Sequence, residues 1–407
     1  MAIPKLSALD RKDTLIFFIG LFSMIKVRFL GTFGISEILV FCSYFFIGLR
    51  LGLSENKRMN YIVLLSLLWL IGIFIADRFN DINLIDSLKG SFNVIFIILL
   101  IPFVYWILKD KPERVILFWI GNGISSLFAF YFQRVDLYNE FDADVWRVYA
   151  FYPAFIALSG WLYYKGRVFL SCIVIEVFAL WSLFHMSRNI FLSMTCAVSL
   201  IIFIEWIKRS SFDRIKKYRQ RLVYLIAMFG VVLAGIYYTY EYLASNKYLG
   251  EAAYNKYVLQ KYSDKGLASG RSDAFQSLYL IYKNPIVGYG SYARDKNELV
   301  RQFDSKTNRD RHDLLPGHSY ILGAWVYAGI GGAVFWFYVL YLIFLFIRGG
   351  ILLNTKLIGI NALLTFQTIW NILFSPFSNR LNILFYIILV IIQMNLSKEY
   401  GAGKETD

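Results

Sequence analysis

From Tyr61 to Ala76 the chain reads YIVLLSLLWLIGIFIA without a single charge, and runs of this kind recur along its whole length. An apolar run of about 18 residues or more can cross the hydrocarbon core of a bilayer as one helix. Such runs lie near 14–30, 32–53, 60–76, 87–107, 115–133, 148–164, 168–184, 190–207, 222–242, 330–347, 351–372 and 378–396. They are continuous rather than alternating, which excludes a transmembrane β-barrel. Only 17% of the 407 residues are charged and 58% are hydrophobic, far from the balance of a soluble domain. The expected fold is an all-α polytopic membrane protein with about 12 transmembrane helices and one large outer loop.

The net charge of +14 would point to nucleic acid in a soluble protein. Here the excess lies in short connections, where it sets topology, and no nucleic-acid partner is expected. Lys5, Arg11 and Lys12 precede the first span; Arg50, Lys57 and Arg58 follow the second; Lys109, Lys111 and Arg114 follow the fourth. Lys165 and Arg167 follow the sixth, and the connection after the eighth carries Lys208, Arg209, Arg214, Lys216, Lys217, Arg219 and Arg221. Alternating spans put all of these on one side, which is then cytoplasmic, together with both termini. The opposite connections are acidic or mixed, with Asp77, Asp81 and Asp86 in one and Asp136, Glu140, Asp142 and Asp144 in another. No small-residue cleavage site follows the first run, so it is expected to be retained.

This topology divides the chain into nine spans over 1–242, an outer loop with short interfacial helices over 243–329, and three spans with a cytoplasmic tail over 330–407. The loop is basic, with Lys256, Lys261, Lys265, Arg271, Lys283, Arg294, Arg301, Arg309 and Arg311. Long loops translocate largely regardless of charge. A basic outer loop close to head groups suits a phosphorylated or otherwise anionic ligand; a solvated loop of ordinary charge content is the plainer alternative. Its many tyrosines either form an interfacial aromatic belt or stack on sugar rings.

Three places carry residues with chemistry. Residues 269–290 read as a short helix: Ser269 or Ser272 caps it, Asp273 favours its first turn, and Asn284-Pro285 ends it ahead of Gly288 and Gly290. Phe275, Leu278, Tyr279 and Tyr282 give it an apolar stripe that suits the membrane interface. Arg271 lies at its start, where a guanidinium offers paired donors to phosphate oxygens, or simply snorkels to head groups. His318 follows Pro316-Gly317 and opens an apolar stretch that ends at Gly329-Ile330-Gly331-Gly332. It suits a general base near the water boundary, although capping or packing is the usual role of a lone histidine at a helix start. Ser187-Arg188-Asn189 fills the short connection between the seventh and eighth spans, where an arginine is costly unless it meets an anion or snorkels. His185 either shares that site or faces head groups. Asp273, Ser319 and Arg294 stand near these places as accessory candidates.

Two further patterns compete. Asp142-Ala143-Asp144 spells a DxD, a metal motif in nucleotide-sugar enzymes, but three-letter motifs recur by chance. Asp77 and Asp81 lie in an early outer connection, where membrane glycosyltransferases can place an acidic base. Cys42, Cys172 and Cys196 fall in apolar runs and form no disulfide framework. No CxxC or HExxH spacing occurs, so no metal site and no cofactor is expected.

Taken together, SRN at 187–189, Arg271 with NPIVGYG at 284–290, and HSYILGAWVYAGIGG at 318–332 resemble the O-antigen polymerase and O-antigen ligase superfamily of bacterial inner membranes. The resemblance covers the second half of the chain; the first half is similar in hydropathy and span count only. The family more often has Asn after the histidine, where Ser319 stands here. The resemblance implies a GT-C-like, metal-independent, inverting glycosyltransferase of a Gram-negative inner membrane, working at the periplasmic face on undecaprenyl-pyrophosphate-linked oligosaccharides among membrane lipids. It implies Arg188 and Arg271 as the cations that stabilise the pyrophosphate leaving group, His318 as the base, and a chain-length regulator protein as a partner. A polymerase is the first reading and a ligase acting on lipid A-core the second. A lipid-linked oligosaccharide flippase is a third, from a different class, which would need neither the large loop nor the histidine.

Overall fold

The computed structural model describes residues 10–28, 32–47, 56–132, 140–185, 187–208, 238–262, 272–291, 319–349, 356–375 and 380–402, and residues 231, 235, 293 and 315 singly. In chain order these give α1 (Arg11–Leu21), a hairpin of β1 (Lys26–Arg28) and β2 (Thr32–Gly34), α2 (Ile35–Ile47), α3 (Lys57–Phe79), α4 (Leu84–Leu108), α5 (Arg114–Phe132), α6 (Glu140–Tyr164), α7 (Val168–Phe184) and α8 (Arg188–Lys208). There follow α9 (residues 238–245), α10 (Glu251–Tyr262), α11 (Ser272–Lys283), α12 (Tyr320–Gly349), α13 (Ile358–Phe374) and α14 (Arg380–Ala402). Among the described residues five helices are long and apolar enough to cross a membrane: Lys57–Phe79, Leu84–Leu108, Arg114–Phe132, Arg188–Trp206 and Tyr320–Arg348. The chain is a helical membrane protein.

The first apolar run folds differently from expectation. The run at 14–30 does not make one span; α1 is 11 residues long, about 16 Å at 1.5 Å per residue. Lys26 and Arg28 interrupt the run, and the chain turns there into the antiparallel hairpin, with Val27 opposite Phe33. The stretch from Ser319 follows expectation more closely. α12 is broken at Gly329 (φ 58°, ψ −150°), which separates a short helix from the span that begins at Ile330.

The chain forms two compact units, one from residues 1–121, 271–350 and 368–407, the other from 122–270 and 351–367. They cut across the linear division into spans and loop, which describes membrane topology and not packing.

In the first unit, α3 and α12 approach through small residues. A Cβ on Gly72 would lie 2.7 Å from the Ala328 carbonyl, and one on Gly331 3.0 Å from the Leu68 carbonyl; such residues let membrane helices pack closely. Trp69 fills the same seam, its ring 5.3 Å from Phe335 and 5.9 Å from Trp336. Phe118 of α5 stacks on Phe385 of α14 at 4.0 Å. One end of this unit gathers Lys12, Lys111 and Arg114, three of the basic residues from the short connections. Arg114 donates to Asp13 (2.6 Å), Asp10 (2.5 Å) and the Ile107 carbonyl (2.8 Å). Lys12 reaches Asp110 (2.7 Å) and Lys111 reaches Asp10 (2.9 Å). α3 and α4 run antiparallel across a short connection, so Arg58, at the start of α3, lies at this basic end. It donates to Asn395 near the end of α14. The start of α1 and the later part of α14 therefore lie at the same end of this unit.

In the second unit, α6 and α7 pack through Phe155 and Phe178, stacked at 4.1 Å, and the Ser171 hydroxyl donates to the Ser159 carbonyl at 2.9 Å. Tyr163 donates to Glu205 of α8, and Tyr152 to Gln367 of α13.

Candidate functional site

At the end of the first unit away from the basic cluster, the turn after α11 closes onto the break in α12. An unbroken helix would pair the Ile330 amide with the Val326 carbonyl and the Gly331 amide with that of Tyr327. Gly329 ends that ladder and frees both carbonyls. They accept instead from Tyr289 (2.8 Å) and Gly290 (3.0 Å), while the freed Ile330 amide donates to the Ile286 carbonyl (3.1 Å). Trp325 adds a bond from its indole nitrogen to the Pro285 carbonyl at 2.7 Å. The turn is held from within by Asn284, whose amide donates to the Gly288 carbonyl at 2.7 Å.

Glycine is required at this junction. Gly288, Gly290 and Gly329 all have φ between 58° and 85°, a region that side chains disfavour. A Cβ on Gly329 would lie 1.9 Å from the Ile286 carbonyl oxygen. NPIVGYG and GIGG, separate in sequence, are thus two halves of one lock.

The lock rests on the connection between α3 and α4. Asn80 donates to the Gly288 carbonyl at 3.2 Å, and Asp77 accepts from the Ser291 amide at 2.5 Å. Of the two acidic residues considered there, Asp77 is buried against the turn, whereas Asp81 is exposed with φ 49°. α11 buries Gln276, Ser277, Leu280 and Ile281 and turns Phe275, Leu278 and Tyr282 outward; Tyr282 is 79% exposed. Phe275, Leu278 and Tyr282 are three members of the apolar stripe read from the sequence, while the buried face also carries Leu280 and Ile281.

The sequence-derived site residues fall as follows. Arg271, Arg294 and His318 lie outside the described residues, as does the side chain of Asp273 in the first turn of α11. Ser319 is buried and committed to structure: its hydroxyl donates to the Ile372 carbonyl (2.8 Å) and accepts from the Leu322 amide (3.2 Å), capping α12. His185 and Arg188 belong to the second unit. His185 ends α7, with Nδ1 3.0 Å from the Trp181 carbonyl, so that nitrogen carries the proton; its ring lies 4.5 Å from that of Trp181. Arg188 begins α8 with its guanidinium 4.4 Å from the centre of the Tyr240 ring. Beside it Asn189 donates to the Tyr149 hydroxyl at 2.7 Å. Asp142 and Asp144 lie in the helix α6, their side chains outside the description.

The sequence reading missed an ion pair in the first unit. Arg380, at the start of α14, donates to both oxygens of Glu37 (2.9 and 3.1 Å) and to Asn93 of α4 (2.5 Å). Glu37 also accepts from the Gly34 amide, which ties the hairpin to the bundle. The signal was a lone acid and a lone arginine at the edges of two apolar runs, a costly placement unless paired. Sequence spacing could not match them, because they are 343 positions apart.

No family model matches the chain, and no curated protein or solved structure does.

Proposed function

We propose that the protein is a membrane glycosyltransferase that extends a surface polysaccharide, working as an O-antigen polymerase on undecaprenyl-pyrophosphate-linked glycans. The observation that supports this reading is the lock between the 284–290 turn and the break at Gly329. It gives a rigid frame to the helix that Arg271 precedes and to the helix that His318 precedes, the two arms on which the family resemblance rests. A site that must hold a cation and a base in fixed geometry needs such a frame.

In this reading the acceptor hydroxyl of a lipid-linked repeat unit attacks the anomeric carbon of the donor glycan. Its proton passes to His318. The new glycosidic bond forms as the bond from the anomeric carbon to the pyrophosphate oxygen breaks, and that electron pair leaves on the lipid pyrophosphate. Arg188 and Arg271 stabilise the developing charge. The configuration at the anomeric carbon inverts. The basic end of the first unit is cytoplasmic and the lock is periplasmic, in the inner membrane of a Gram-negative bacterium.

Deleting the gene and running the surface polysaccharide on a gel tests the reading. Lipid A-core carrying a single repeat is the expected result. Bare lipid A-core with long chains left on the carrier indicates a ligase instead, and an unchanged ladder removes both. Arg188→Ala, Arg271→Ala and His318→Ala are each expected to abolish extension in protein that inserts normally; a wild-type ladder from any of them takes that residue out of the mechanism.

A further inference from the structure

Asp77 lies at the end of α3 with 5% of its surface exposed. One carboxylate oxygen accepts from the Ser291 amide, and the other has no hydrogen-bond partner. The Ser291 hydroxyl, in a residue 4% exposed, has none either. The surroundings are shaped around this pair. A Cβ on Gly290 would lie 2.8 Å from Asp77 Oδ1, and one on Gly90 would lie 2.0 Å from Ser291 Oγ.

Buried polar atoms are nearly always paired, and an unpaired oxygen on a buried carboxylate is among the costliest exceptions. Architecture alone would favour asparagine at position 77. Its side-chain oxygen would accept from the Ser291 amide, and no charge would be buried. The chain carries instead a carboxylate, whose second oxygen when ionised can only accept.

We propose that Asp77 and Ser291 bind a hydroxyl of the acceptor sugar other than the attacking one, and that this hydroxyl donates to Asp77 Oδ2 and accepts from Ser291 Oγ. One hydroxyl completes both groups, since it is donor and acceptor at once. A divalent cation fits less well. Hard cations take about six oxygen ligands or more, and among the described residues no group of three His, Cys, Asp or Glu is positioned to hold a metal. The pair is shielded from solvent, so the hydroxyl enters when the Ser291 side chain turns away from Gly90. Ser291 lies just beyond the residues that hold the turn to α12, and that movement leaves the lock closed. Asp77 thereby becomes an acceptor-binding residue on the first unit's own α3, separate from the base.

The inference rests on the glycosyl-transfer reading, and one experiment separates the two. Full-length Asp77→Asn and Ser291→Ala are compared with wild type for melting temperature and for transfer in membranes. Long lipid-linked glycan is the saturating donor, and the single lipid-linked repeat unit from the deletion strain is the varied acceptor. Asp77→Asn is expected to melt like wild type while its KM for the acceptor rises at least about tenfold, the loss of one hydrogen bond to a charged group. Ser291→Ala is expected to raise KM less. A wild-type KM in Asp77→Asn overturns the proposal, and so does a wild-type KM in Ser291→Ala should Asp77→Asn fail to fold. A wild-type protein that transfers nothing sinks the glycosyl-transfer reading and this inference with it.

Discussion

At one end of the first unit Lys111 and Arg114 pair with Asp10 and Asp13, and Lys12 pairs with Asp110. At the other end Asp77 and Ser291 each keep an unpaired atom, beside three glycines held at positive φ. The same helices, α3 and α4, run through both regions. The first region uses charge to fasten helix ends. The second is built on glycines that no other residue could replace without strain, and keeps two buried atoms unsatisfied. Costs of this kind collect where a protein does its work.

The largest effect is expected at the strained end, from Gly329→Ala. The backbone there (φ 58°, ψ −150°) is close to a region that glycine alone adopts freely, and forcing another residue into it costs about 1–3 kcal/mol. The new methyl would also meet the Ile286 carbonyl at 1.9 Å, so the turn must lift and its three backbone bonds to α12 are lost. No measurable chain extension is expected, with a lowered melting temperature. A Gly329→Ala protein that melts and extends chains like wild type would show that function does not depend on the lock.

Next comes the paired end. Arg114 is nearly fully buried and holds Asp13, itself largely buried. Arg114→Ala leaves that carboxylate without its guanidinium, at a cost of about 3–5 kcal/mol. Arg114→Lys is expected to recover part of it, because a lysine cannot reproduce the planar, multiply bonded geometry. Both changes should lower the yield of inserted protein and its melting temperature, with transfer per folded molecule unchanged. A fall in transfer per folded molecule larger than that for Asp77→Asn would reverse the contrast between the ends.

Much of this contrast was legible in the sequence, although not evenly. Lys12, Lys111 and Arg114 stood out because short basic connections set topology, and the structure gathers them at one end. The turn at 284–290 and the glycines at 329–332 were legible as breaks, since proline and paired glycines stop a helix wherever they occur. Their mutual engagement was not legible, because it consists of backbone bonds that any side chains could flank. The same holds for Asp77: its partner Ser291 is 214 positions away, and hydropathy carries no information about which connection touches which. Ser319 was read as an accessory to the histidine, yet capping and the Ile372 carbonyl account for its hydroxyl. The first run was read as a span because apolar content outweighed Lys26 and Arg28, whereas lipid tolerates such charges poorly and the chain turned back into a hairpin.

The smallest effect concerns pH and again belongs to the paired end. Asp110 is held below the usual carboxylate range, chiefly by its hydrogen bond from Lys12. Burial alone would raise the Asp10 carboxyl, but hydrogen bonds from Lys111, the Asp13 amide and Arg114 outweigh it and hold the group well below its ordinary value. A carboxylate depressed in the folded state adds stability that is present above its unfolded pKa, about 3.9 for aspartate, and is lost as pH falls through the folded value. Melting temperature should therefore be flat from about pH 8 to 5 and decline below about pH 4. Both side chains are substantially exposed, at 40% for Asp10 and 55% for Asp110, so each contributes about 1 kcal/mol or less at neutral pH. Asp10→Asn and Asp110→Asn should each lower the neutral plateau slightly and shallow the acid decline, while Asp77→Asn leaves the plateau in place. If Asp10→Asn and Asp110→Asn both trace the wild-type acid limb, the carboxylates that set it lie elsewhere, and pairing at this end fastens helices without governing how the protein responds to acid.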